Sequence, residues 1–214
     1  MKSAIAAALI ATVWLAPVLA AKPAWAEPTQ LNLDWRVFLK APAQETFDKV
    51  YADVKACTDH DACIHPSRPT IQDADQLTML MAQNNAMAVR LALASYALLS
   101  DNSTAYDDVL PSYGPFIRAS PHQFLKLAHD EGMPDDAVAA AAAATPDHMN
   151  DDYSKQLREL TARRAALHAV KDKDLVAARD LCLNSIDHTI AALTPPQSSA
   201  KKTAPKPRAT KQKA

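Results

Sequence analysis

The run Cys57-Thr58-Asp59-His60-Asp61-Ala62-Cys63-Ile64-His65 places two thiols, two imidazoles and two carboxylates within nine positions. Thiolate sulfur and neutral imidazole nitrogen are ligands for soft to borderline ions. Cys57, His60, Cys63 and His65 could therefore hold zinc or copper. Their spacings match no standard zinc module. A simpler use of the same thiols is a Cys57–Cys63 disulfide closing a small loop, with both histidines left in solvent. Closing a loop of that size stabilises by about 2 kcal/mol, less any strain. The disulfide is the expected state, and metal binding through these four residues is the alternative.

Which of the two applies depends on the compartment. Lys2 opens a short positive region, and an apolar run follows from Ala4 to Ala20, broken by Pro17. Ala24-Trp25-Ala26 then supplies a small-x-small site ahead of Glu27. That order is the pattern of a cleaved secretory signal over residues 1–26. The run is short for a membrane span, so no integral membrane segment is expected after cleavage. The expected location is the periplasm or the exterior, where disulfides form.

Cys182 falls on the apolar face of the last helix. It is expected to be a buried free thiol. Pairing with Cys57 or Cys63 would instead staple the ends of the chain, and exposure would allow a covalent dimer.

The other histidines suggest no chemistry locally. His122 and His129 lie seven apart on one helix, about 10 Å along its axis, too far to share one ion. His148, His168 and His188 stand in separate helices. Ser120 reads as a helix cap rather than a nucleophile. Glycine occurs only at Gly114 and Gly132. A phosphate-cradling loop, a dinucleotide fingerprint or a nucleophile elbow needs more than that. No catalytic residue and no cofactor are expected.

The elements that must position these residues are helical. Period-two alternation over Leu31, Leu33, Trp35, Val37 and Leu39 suggests a strand, yet Trp35, Phe38 and Leu39 also fit one helix face with Asp34 as cap. We read a short helix or extended arm ending before Pro42. Pro42 suits the first turn of a helix carrying Phe47, Val50, Tyr51 and Val54. Residues 58–70 read as a loop. A helix starting at Asp73 carries Leu77, Leu80 and Met81. Residues 86–99 are apolar nearly all round, the mark of a central helix. Pro111, Gly114 and Pro115 imply an irregular stretch. Ser120-Pro121-His122-Gln123 starts a helix that Gly132 stops, with Pro134 beyond. An alanine-rich helix runs from Asp135 toward Pro146. An αα-hairpin closes the body. Its first helix carries Tyr153, Leu157, Leu160, Leu167 and Val170; its second carries Leu175, Ala178, Cys182, Ile186, Thr189 and Leu193. The expected fold is all-α over residues 27–194, an irregular multi-helix bundle or short solenoid-like stack forming one domain.

Charge divides the chain. Residues 27–194 hold fifteen basic and twenty-four acidic side chains, a net −9. Only Glu27, Glu45, Glu131 and Glu159 are glutamates; the other twenty acids are aspartates, which favour caps and turns. Residues 195–214 hold Lys201, Lys202, Lys206, Arg208, Lys211 and Lys213 and no acid. With no apolar residue larger than Ala or Pro, this tail reads as disordered. It lacks aromatics for base stacking, so nucleic acid is not the expected partner. Anionic envelope surfaces or an acidic protein face suit it better. The sequence thus describes a secreted or periplasmic helical binding or scaffold protein without catalysis, recognising a protein or envelope partner. The alternative is a metal-binding or redox-responsive protein using the Cys57–His65 segment.

Overall fold

The computed structural model describes residues 29–58, 63, 71–100 and 107–194. Among these there are ten α-helices and no strand. Residues 1–26, expected as a signal, His60, His65 and the basic tail lie outside the described residues.

Helix α1 spans Gln30–Lys40. The helical face wins over the alternation because Trp35, Phe38 and Leu39 are buried together, while Leu33 and Val37 face outward. Its cap is Thr29 rather than Asp34: the Thr29 side chain accepts from the Asn32 N–H. Helix α2, Gln44–Ala56, buries Phe47, Val50 and Val54 against α1. Pro42 lies two residues before this helix, not in its first turn. The start is fixed by Thr46, whose hydroxyl accepts from the Ala43 N–H at 3.1 Å.

Helix α3 covers Ile71–Ala82, beginning two residues before the expected Asp73. The apolar run after it is two helices, α4 (Ala86–Ala94) and α5 (Tyr96–Ser100). They break at Ser95, which leaves helical geometry with ψ near 6°. As expected, α4 is central, burying Ala88, Val89, Leu91, Ala92 and Leu93.

The stretch with Pro111 and Pro115 is helical rather than irregular. A 3-10 turn over Leu110–Tyr113 runs into α6, Gly114–Ala119. Each proline sits within the first two positions of its element, where a missing N–H costs nothing. Helix α7, Pro121–Glu131, ends on Gly132 at φ 75°, a left-handed cap natural to glycine. Ser120 precedes α7, but its side chain makes no capping hydrogen bond, so proline at the first position carries this start.

Helix α8, Asp135–Ala143, uses its small side chains to lie close on α10, its most extensive packing partner. Helix α9, Tyr153–His168, is capped by Asp152, which accepts from the Lys155 N–H. Helix α10, Val176–Leu193, packs antiparallel to α9 after the turn, giving the expected hairpin. One apolar cluster joins all these layers, from Trp35 in α1 to Ile186 in α10.

The buried face of α9 differs from the expected stripe. It consists of Gln156, Leu160, Arg163 and Leu167. Tyr153 is 62% exposed, and an arginine takes the central place.

Candidate functional site

Cys57 closes α2, and its sulfur lies at bonding distance from that of Cys63, with Cα atoms 6.0 Å apart. The Cys63 carbonyl accepts from the Thr29 hydroxyl at 3.1 Å. The disulfide therefore pins residue 63 onto the start of α1 as well as the end of α2. With the sulfurs bonded to each other, neither is a thiolate ligand in this state. No cluster of three or more metal-ligating side chains occurs among the described residues.

Cys182 is fully buried and makes no disulfide. Its thiol donates to the Val138 carbonyl at 3.7 Å. Burial, with Asp135 adding to it, pushes the thiol up to about 12. The thiolate is the reactive species. We therefore expect Cys182 to stay silent toward a thiol reagent at pH 8 in the native protein and to react on unfolding. Rapid native labelling, read by intact mass, would contradict this burial.

Two carboxylates meet between α1 and α2. Asp53 is raised above the ordinary aspartate value of 3.8, first by burial, then by its hydrogen bond to Asp34 and that group's charge. Asp53 Oδ2 finds no hydrogen-bond partner among the described residues. A folded-state value raised this way gives stability that is present below pH 3.8 and lost as pH rises through the folded value. Asp53→Asn should therefore raise Tm at pH 7 by about 2 °C and leave it unchanged near pH 3. Equal shifts at both pH values in thermal melts would refute the charge argument.

A cleft of about 510 Å³ lies elsewhere among the described residues. It is reached by α3, the 3-10 turn, α6, the Asp147–Met149 turn and α9. Its lining includes the apolar side chains Met79, Pro111, Pro115, Pro146 and Met149 beside Thr78, Ser112 and His148. Met79 is 58% exposed there. Proline and methionine suit such a lining, because rings are rigid and thioethers adapt to a visitor.

The lining of the cleft is also charged. Glu159 joins two arginines, accepting from Arg163 Nε at 3.0 Å and from Arg118 Nη1 at 2.6 Å. Arg163 Nη1 also donates to the carbonyls of Ala142 and Ala144, at 3.1 and 2.6 Å. These carbonyls end α8, so the guanidinium caps that helix C-terminus as a cation should. Arg163 is 0% exposed. Its place depends on Gly114: a Cβ there would stand 2.7 Å from Arg163 Nε and nearer still to its Cζ and Nη2. Arg118 remains half-exposed at the cleft wall. Arg118, Glu159 and Arg163 together carry one net positive charge in a body of net −9.

A second buried carboxylate ties three helices together. Glu131 accepts from Tyr51 Oη at 2.9 Å, Arg90 Nε at 2.7 Å and Lys55 Nζ at 3.4 Å. Arg90 also lies 4.6 Å over the Tyr51 ring. Burial, then the bond to Glu131, raises the Tyr51 hydroxyl above its usual range. These groups face one another rather than a cleft, so their work is to join α2, α4 and α7.

Among the histidines, His122 Nε2 lies 3.2 Å from Asp172 Oδ2 in an exposed pair. His129 lines a second, somewhat smaller cleft with Asp135 and Asp174. No sequence signal singled out Arg118, Glu159 or Arg163; only their spacing on α9, four apart for Glu159 and Arg163, hinted at a pair.

No family model, curated protein or solved structure matches this chain. No described helix is long and apolar enough to cross a membrane.

Proposed function

We propose that this is a non-catalytic binding protein of the periplasm or cell exterior, delivered by the signal at residues 1–26, whose cleft takes a peptide segment of a protein partner. The observation that carries this reading is the convergence of five elements on one concavity, where apolar Met79, Pro111, Pro115, Pro146 and Met149 lie beside the net positive Arg118–Glu159–Arg163 group. Clefts of this size with a few placed polar groups are the usual form of a ligand site. The apolar lining favours an apolar side chain. Arg118 favours a neighbouring carboxylate. The basic residues Lys201, Lys202, Lys206, Arg208, Lys211 and Lys213 would add attraction to an anionic envelope surface, screened by salt.

Selection from a displayed peptide library tests the reading. The expected winners carry an apolar residue beside an acidic one. Their affinity should fall at least tenfold in Arg118→Glu and in Met79→Asp, with helical circular dichroism unchanged. Winners whose binding ignores both substitutions would sink the proposal.

The alternative remains a metal-binding or redox-responsive use of the Cys57–His65 segment. It is supported by the closeness of the two sulfurs, which reduction would release as thiols beside His60 and His65 in the chain. Reduced protein offered zinc or copper should then retain one ion after desalting, and Cys63→Ala should not. Absence of any retained ion on the reduced protein ends this reading.

A further inference from the structure

Beside Cys63, between α1 and the α4–α5 break, lies a small, partly open cavity. It is lined by Leu31, Asn32 and Trp35 of α1, by Cys63, and by Ser95, Leu98 and Leu99. Two residues of this lining carry buried polar atoms, Trp35 Nε1 and Ser95 Oγ. Neither finds a hydrogen-bond partner among the described residues. Trp35 is 5% exposed and Ser95 1%, so solvent at the surface does not serve them. An indole N–H can only donate, while a hydroxyl both donates and accepts. Burying such groups without a hydrogen-bond partner is costly.

The size of the space decides what could serve them. It leaves about 20 Å³ for the centre of a water molecule. One ordered water needs roughly 10–15 Å³ of such volume and two or more polar partners. A larger organic ligand does not fit. We propose that this cavity is a built-in binding site for a single water molecule, which accepts from Trp35 Nε1–H and hydrogen-bonds Ser95 Oγ. The water ties α1 to the break between α4 and α5. Its roof is a chain of side chain and backbone: Asn32 Nδ2 donates to Thr29 Oγ1 at 2.8 Å, and Thr29 donates to the Cys63 carbonyl. The disulfide to Cys57 holds that roof in place. This also accounts for a serine at the break, where an apolar residue would fill the space but leave the indole N–H unmet. The inference is independent of what the cleft binds.

A crystal structure of the full chain at a resolution that orders waters tests it. The expected result is one density peak, water-sized, within about 3.2 Å of both Trp35 Nε1 and Ser95 Oγ. In Ser95→Val, which fills the space and deletes the hydroxyl, the peak should be gone. An empty cavity in the parent protein, a peak bonded to neither atom, or density larger than water would overturn the proposal. The parent structure decides alone if Ser95→Val does not fold.

Discussion

Replacing Arg163 by methionine should destabilise the protein by about 3–5 kcal/mol, because removing one partner of a buried pair leaves the rest desolvated and unpaired. The lost guanidinium serves Glu159 and two α8 carbonyls at once. The thioether fills much of the volume but offers those oxygens nothing. For a chain of this size the expected fall in Tm is about 10 °C. Gly114→Ala should cost about 1–3 kcal/mol by a different route, since its methyl would overlap the Arg163 side chain. The backbone there is ordinary right-handed helix, φ −53°, so space rather than conformation is at stake. The two changes must therefore couple. In the Arg163→Met background the extra methyl should cost much less, giving a coupling energy above about 0.5 kcal/mol. Strictly additive effects in urea melts would show that Gly114 is not there to admit the arginine.

Glu131→Leu is the second large effect, at about 3–5 kcal/mol. The carboxylate is 1% exposed and receives three side chains from two other helices. Leucine would leave Arg90 and Tyr51 facing an apolar group and loosen α2 and α4 from α7. The position is otherwise a poor one for an acid: it is the last residue of α7, where the helix end is already negative. Three donors offset that penalty. Tyr51→Phe, which removes one of them and leaves the cation, should cost only about 1 kcal/mol. A Glu131→Leu protein melting within 2 °C of the parent would contradict the account of this cluster.

The punctuation of the fold was legible in the chain. Proline at position 121 and Gly132 with Pro134 beyond mark helix ends by local chemistry, and local chemistry is what sequence records. The Cys57–Cys63 pairing was legible for the same reason, six residues being a short loop to close. Arg163 was not. Periodicity treats arginine as a solvent-facing residue, yet among the described residues it is the largest fully buried side chain. Its burial depends on a missing Cβ at Gly114 and on carbonyls at the end of α8, none of them near it in sequence. Gly132 and Gly114 look alike as letters. One supplies a positive φ, the other only room. Ser95 escaped notice because a serine within an apolar run reads as a tolerated exception, not as a break facing a cavity. The cleft itself is assembled from turns that carry no periodic signal, and Pro111, Pro115 and Pro146 read as interruptions rather than as a lining.

The central claim is that the Met79–Arg118–Glu159–Arg163 cleft is where a partner binds. The most direct measurement is an amide ¹H–¹⁵N titration of the labelled protein with a selected peptide. The account predicts that the largest shifts cluster at Met79, Ser112, Arg118 and His148 around the cleft, and that they vanish in Arg118→Glu. Shifts centred instead on Leu33 and Val37, the outward apolar pair of α1, or on Cys57 and Cys63, would contradict it and move the binding site to the other end of the fold.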